Sequence, residues 1–377
     1  MSVKAFFIGA FITVAMLSGI ISLCRTIIWP ADNPMPATCS IGSPHPSLAT
    51  SHNPSLKKLA EYELLCKGAA TSSLMTFAPM PITDAEAIQL ATTQAEVLKE
   101  LSDYNLHPIV VFEPSLASPT IITDIKNGLH DRAVQLYFET LKNTNLSSEQ
   151  MGTWVLFPEA NTPTWHNTSP EDFTTNVQRI ARIQKTVFPE SKNSILLNSW
   201  SYPSNDISWS NGELKSLLPY VENIPSGLID SIGLQGFPYK SPASETTLDR
   251  LHVSEFLPDN IAGEAARSLG VKTIWLNTGT FSRMYTNESI NEVQLSANER
   301  GKILNDILDE AGKLQKEDYE VSINIFAQNK ADLPEHVDWS YWPQSTPAQG
   351  TNATVLELFL RKLQQQKLHF SLYDTMN

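Results

Sequence analysis

Cysteine is scarce, no stretch of the chain is basic, and no glycine-rich phosphate loop follows an early strand. Each absence removes a class of function. The 377 residues hold three cysteines, too few for a disulfide-built fold and without metal-ligand spacing, and the eight histidines are scattered, so no metal site and no cofactor are expected. A net charge of -13 with no basic run argues against nucleic acid as a partner. Without a Gly-rich fingerprint after the first strand, a doubly wound dinucleotide sheet is only the runner-up fold. Charged residues make up just 18% of the chain while Ser, Thr and Asn are plentiful, a surface suited to neutral polar ligands.

What is present begins with a long uncharged run. Lys4 is followed by Ala5 to Cys24 without a charge, and Arg25 closes it. Such a run reaches roughly 30 Å as a helix, enough to cross a bilayer. A cleaved signal peptide is the rival reading. No small-x-small cleavage site precedes Cys24, and Leu23 spoils a lipobox. The run is therefore read as a transmembrane signal anchor over residues 5–28, after a short cytoplasmic end over 1–4. The amino terminus plus Lys4 outweigh Arg25, which puts the rest at the extracytoplasmic side of a single-pass cell-membrane protein, or secretes it if the segment is cleaved. Residues 29–36, with Pro30, Pro34 and Pro36 at its start, middle and end, form a stiff spacer. Cys39 and Cys66 remain, and in an oxidising compartment they either pair or stay as two thiols.

From residue 37 to 377 short apolar runs alternate with amphipathic helices, the pattern of a parallel α/β protein. Strands are expected over 37–42, 74–79, 108–113, 152–157, 194–199, 229–235, 272–277 and 321–326. Thr83-Asp84-Ala85-Glu86 reads as a capping box before the stripe Ile88, Ala91, Ala95, Leu98 and Leu101. Ser169-Pro170-Glu171-Asp172 places an N-cap, a proline in the first turn and two acids before Phe173, Val177, Ile180, Ala181 and Gln184. Val355, Leu356, Phe359, Leu360 and Leu363 make the last stripe. Eight strand–helix units in this length imply an α/β fold of the (β/α)8 TIM-barrel type preceded by one N-terminal transmembrane helix.

In such a barrel the residues just past each strand converge on one face. The third expected strand ends in Glu113. The fourth ends in Glu159, with Asn161 and Trp165 next; the fifth supplies Trp200 and Tyr202; the sixth supplies Gln235, Phe237 and Tyr239. The seventh gives Asn277 and Thr278, and the eighth leads to Trp339 and Trp342. Aromatic rings stack on sugar C–H faces while amides and phenols bond hydroxyls, so the set suits a polysaccharide or oligosaccharide. Trp154, which precedes its strand end, is expected in the core. Glu159 alone has a bland reading as a helix cap or ion-pair partner, and a sharper one as a proton donor to a glycosidic bond.

The stretch 108–203 resembles glycoside hydrolase family 26, the β-mannanases and related β-glucanases. Val111-Phe112-Glu113-Pro114 is similar to the family's Trp-Glu-Pro strand end, and residues 122–131 to the helix entry after it. Glu159-Ala160-Asn161 with Trp165 falls where the family has His-Glu-Met-Asn-Gly-x-Trp, whose Glu is the acid/base. Residues 169–173, 198–203 and 230–237 fit the succeeding helix start and strand ends. The resemblance implies a glycosidase with Glu159 as acid/base. It also exposes departures: Pro158 replaces the family His, Val155 the family Arg, and Thr278 stands at the nucleophile position of the Lys272–Gly279 block. A threonine without an adjacent base is a poor substitute for a carboxylate. Two functions stay open. One is hydrolysis of a β-linked polysaccharide (mannan or glucan type), with Glu113 or Asp206 as second carboxylate; the other is a catalytically degenerate barrel that binds glycan or a partner protein.

Overall fold

In the computed structural model, the described residues are 73–103, 107–114, 119–162, 168–201, 213–214, 216–240, 249–281, 283–286, 291–326, 329–330, 337–338 and 369–373. Eight of their strands close a barrel. In chain order these are β1 (Ser73–Pro79), β2 (His107–Glu113), β3 (Thr153–Leu156), β4 (Lys192–Asn198), β5 (Ser231–Gln235), β6 (Thr273–Thr278), β7 (Glu320–Phe326) and β8 (His369–Tyr373). Every neighbouring pair is parallel, and β8 pairs with β1 to complete the ring. The TIM-type barrel expected from the alternation is thus the architecture.

The strand count is right for a partly wrong reason. The segment 37–42 lies outside the described residues, and the ring is complete without it, because His369–Tyr373 takes the place between β7 and β1. His-Phe-Ser-Leu-Tyr is too short and too mixed to announce itself in sequence. Every expected strand ordinal therefore drops by one: Glu159 follows the third strand, and Thr278 ends the sixth. The anchor over 5–28, the spacer over 29–36 and the stripe over 355–363 also fall outside the described residues. Among those described, no helix is long and apolar enough to cross a membrane.

Helices cover the ring where the periodicity places them. α1 (Asp84–Asp103) connects β1 to β2; α2 (Ile121–Lys126), α3 (Asp131–Asn143) and α4 (Ser148–Met151) lie between β2 and β3. α5 (Pro170–Val187), α6 (Leu218–Val221), α7 (Asp259–Leu269) and α8 (Ala297–Lys316) follow in turn. The α5 stripe is buried as expected, and the Ser169 side chain caps its start by accepting from Asp172 N at 3.1 Å. At α1 the stripe is rotated slightly: Ile88 is 51% exposed and Ala87 is buried in its stead. The box at that helix start is also shifted, since Glu86 returns to the backbone of Ile82 at 2.9 Å rather than to Thr83. Trp154 is fully buried among Phe112, Tyr137 and Phe138, with ring centroids 5.2–6.1 Å away, as its position before the strand end implies. Burial pushes the Tyr137 phenol far above its ordinary range.

Inside the ring an apolar floor forms from Met75, Val111, Val155, Leu196 and Trp275, flanked by Phe77 and Ile109. Trp275 spans the interior because Gly233, its register partner, has no side chain to oppose it. Its indole N–H donates to Ser194 Oγ at 2.8 Å, satisfying the polar atom of an otherwise apolar ring.

Candidate functional site

Directly above that floor, one strand step toward the C-terminal rim, the interior turns polar. Side chains two apart on a strand share a face, so the residue after the next beyond Leu196, Gly233 and Trp275 also points inward. These are Asn198, Gln235 and Asn277, and Asn324 completes the row on β7. All four are buried. They are register partners in sequence around the ring: Asn198 with Gln235, Gln235 with Asn277, Asn277 with Asn324. An amide in a dry interior is costly unless paired, and these pair with one another. Asn324 Nδ2 donates to Asn277 Oδ1 at 2.6 Å, and Asn277 Nδ2 donates to Gln235 Oε1 at 2.5 Å. Gln235 Nε2 in turn donates to Glu159 Oε1 in a very short bond, and Asn198 Nδ2 approaches Glu159 Oε2 at 3.5 Å. The amide row ends on a carboxylate.

Glu159 reaches that place through an unusual turn. β3 stops at Leu156, and Phe157 and Glu159 both take left-handed backbone angles, φ 51° and 53°. For side-chain-bearing residues this conformation costs about 1–2 kcal/mol each, and it persists only where surrounding contacts impose it. Here those contacts are visible. Glu159 N donates to Leu196 O at 2.8 Å, and both the backbone N–H and the hydroxyl of Thr162 donate to Glu159 O, at 2.9 and 2.8 Å. Asn161 then imitates a strand: its Nδ2 donates to Asn198 O at 2.8 Å while its Oδ1 accepts from Asn198 N at 3.0 Å. The turn thus resumes the pairing with β4 that β3 gave up, and it sets the half-buried Glu159 over the amide row.

Asn161, expected to contact a ligand, has both ends of its amide bonded to the Asn198 backbone and clips the Glu159 turn. Glu113 closes β2 on the inward face, half-buried, at the same rim. Asn277 belongs to the amide row. Thr278 pairs in unbroken register with Ile325 and therefore faces the opposite side of β6, buried, with no partner for its hydroxyl. It does not look into the barrel mouth. Phe237 is half-buried beyond β5, and Tyr239 is buried and pairs through its backbone with Arg250. Trp165, Tyr202, Trp339 and Trp342 lie outside the described residues. Trp200 starts a short antiparallel pairing with Glu213–Leu214 directly after β4.

Asn198 and Asn324 were not singled out in sequence. The signal for Asn324 was available in the alternation Ser322, Asn324 against Val321, Ile323: a strand covered on both sides is normally apolar throughout, so a polar alternate face marks a polar interior. Segments leaving β6 and β7 at the same rim build a small antiparallel sheet of Asn291–Gln294, Arg283–Thr286, Val337–Asp338 and Asn329–Lys330. The loop after β5 is tied nearby: Lys240 Nζ bonds Gln294 O at 3.2 Å and Glu299 Oε1 at 2.8 Å. With Lys240 as the main cause, and the Ser296 backbone and hydroxyl assisting, the Glu299 carboxyl falls from 4.5 to about 2. Among the described residues no group of His, Cys, Asp and Glu could hold a metal ion.

No family model and no curated protein matches the chain in sequence. Solved structures match it in fold. Beta-glycosidase BGL167 superposes with a TM-score of 0.54 at 12% identity, covering 87% of this chain and 90% of that one. The virulence factor SghA from Agrobacterium tumefaciens gives 0.51 at 10% identity over 86% and 93% of the two chains. A Thermotoga maritima beta-glucosidase solved with cyclophellitol gives 0.50 at 9% identity over 79% and 83%. The barrel is of the kind these glycosidases use. Identities this low carry the fold and not the activity.

Proposed function

We propose that this barrel acts on a β-linked polysaccharide of mannan or glucan type, taken into the mouth above the amide row, with Glu159 as the catalytic carboxylate and Glu113 as the second carboxyl. The observation that carries the reading is the strained, clipped turn that holds Glu159 over four buried amides: Phe157 and Glu159, two residues apart, both take left-handed backbone, and such strain persists only where surrounding contacts fix it. The glycosidase fold neighbours and the residue resemblance to family 26 around Glu113 and Glu159 support it. Trp165, Trp200, Tyr202, Trp339 and Trp342 are the proposed sugar platforms, and the uncharged run over 5–28 would tether the barrel on the extracytoplasmic side.

A second reading, glycan binding without hydrolysis, is favoured by β6. Its inward end is Asn277 and its next residue, Thr278, turns away, so the sixth strand offers the mouth no carboxylate. One experiment separates the two. The purified full chain is incubated with mannan, glucomannan and mixed-linkage glucan, and new reducing ends are measured beside calorimetric binding. Cleavage abolished by Glu159→Gln supports hydrolysis. Binding without cleavage supports the second reading, and neither binding nor cleavage across the panel ends the carbohydrate assignment.

A further inference from the structure

We infer that the first turn of α8 is a keystone for one side of the mouth. Glu299 and Arg300, adjacent in sequence, hold the loops that leave β5 and β6, and Lys240 is the positioning residue through which Glu299 acts. The inference deepens the carbohydrate reading and rests on it only for the ligand used in the last measurement.

Loops at strand ends are the mobile part of such a barrel, and a site built on them works only where they are held. The loop after β5 is held at three levels. At its root, Gly236 N donates to Asn277 O at 3.1 Å, one residue beyond the β5–β6 pairing. Phe256 O comes so close that a Cβ at Gly236 would overlap it, and Ser199 Oγ donates to that same carbonyl. Higher up, Tyr239 and Arg250 exchange both backbone bonds, at 2.9 and 2.8 Å. Beyond them Lys240 Nζ donates to Gln294 O at 3.2 Å and to Glu299 Oε1 at 2.8 Å. The first two ties stay within the loop and its neighbouring strands. The third crosses to another loop and to α8, and it depends on one side chain.

What receives Lys240 is arranged for two tasks. In a capping box the carboxylate serves its own helix start. Glu299 does so through Oε2, which accepts from Ser296 N and Ser296 Oγ, both at 2.7 Å, and it gives Oε1 to Lys240. The next residue, Arg300, is fully buried and donates from Nε to Thr280 Oγ1 at 3.1 Å and from Nη2 to Thr280 O at 2.8 Å. Thr280 lies just past the end of β6. A buried guanidinium is costly unless its donors are used, and two of them fix the exit of the strand that carries Asn277. One helical turn therefore grips the loops of two neighbouring strands. Burial follows that division: Asn277, Thr280 and Phe281 are buried, while Glu113 at β2 and Glu159 past β3 are half-buried. The β5–β6 side is a fixed wall, and a wall fixed before binding spares the ligand the cost of ordering it.

Hydrogen exchange of the full chain, read by mass spectrometry, tests the keystone without reference to activity. Lys240→Met should speed exchange several-fold at the Tyr239 and Arg250 amides and across Asn291–Gln294, and leave the strand Lys192–Asn198 at the wild-type rate. Lys240→Arg keeps a cation for Glu299 and should restore the slow pattern. Unchanged exchange in those segments, or an equal rise along the whole chain, would overturn the proposal. Should Lys240→Met fail to fold, Glu299→Gln keeps an acceptor for Ser296, removes the charge facing Lys240, and is read in the same way. A positioning role also has a signature that a merely structural one lacks. For whichever of mannan, glucomannan or mixed-linkage glucan the chain binds, calorimetry on fully folded Lys240→Met should show binding about tenfold weaker, with affinity regained in Lys240→Arg. Equal affinity would overturn the positioning role. A chain that binds no glycan removes the carbohydrate reading and leaves the exchange result to decide the keystone.

Discussion

Gly233 lies face to face with Trp275 across adjacent strands, and the indole occupies the space that a side chain at 233 would fill. A methyl group there would overlap the six-membered part of the ring. Gly233→Ala is therefore expected to destabilise the barrel by about 1–3 kcal/mol through overpacking, and to disturb the Trp275 to Ser194 hydrogen bond. Urea unfolding followed by tryptophan fluorescence measures it. An unchanged midpoint would mean that the floor yields more easily than its packing implies.

Trp154 offers the opposite test, since it is enclosed by Phe112, Tyr137 and Phe138 and donates its N–H to Met151 O at 2.9 Å. Removing the ring in Trp154→Ala should cost about 3–5 kcal/mol. Because Trp154 faces the helices and not the mouth, ligand affinity in protein that still folds should change little.

Asn161→Ala should separate positioning from contact. Both reciprocal bonds to the Asn198 backbone are lost, leaving a buried N–H unmatched at about 1–3 kcal/mol. The Glu159 turn then loses its clip, so ligand affinity and stability should fall together. A pure ligand contact would weaken affinity with no change in the melting temperature.

Lys240 and Glu299 predict a pH dependence. Glu299 titrates lower in the folded chain, about 2 against 4.5, so the ion pair stabilises the fold above the unfolded value, and that contribution is lost as pH falls through the folded value. Lys240→Met should be less stable than the wild type at neutral pH, with the gap closing between about pH 4.5 and 2. Denaturant midpoints at a series of pH values check it. A gap that stays constant into acid would assign the effect to packing of the lysine stem.

Much of the scaffold could be read from the chain alone. Seven barrel strands announce themselves as apolar runs between helix signals, and Ser169 with Pro170 marks a helix start by the same chemistry seen in the fold. His369–Tyr373 escaped because a five-residue mixed strand gains its identity only from the two neighbours it pairs with. The site was half visible. Glu159 stood out as a charge ending an apolar run, and Gln235 and Asn277 as polar strand ends. The face on which Thr278 lies depends on strand parity, and the clip made by Asn161 depends on a turn through left-handed backbone that no local pattern encodes. Asn324 is polar within an apolar strand, and its meaning appears only when β5, β6 and β7 stand side by side.

The apolar floor beneath the amides has a consequence for traffic. Trp275 and its neighbours fill the ring partway down. On the proposed carbohydrate reading, a long polymer would not thread the ring but lie across the C-terminal rim, with one or a few units near Glu159. On that same reading, a released product would leave past the amides that met the substrate.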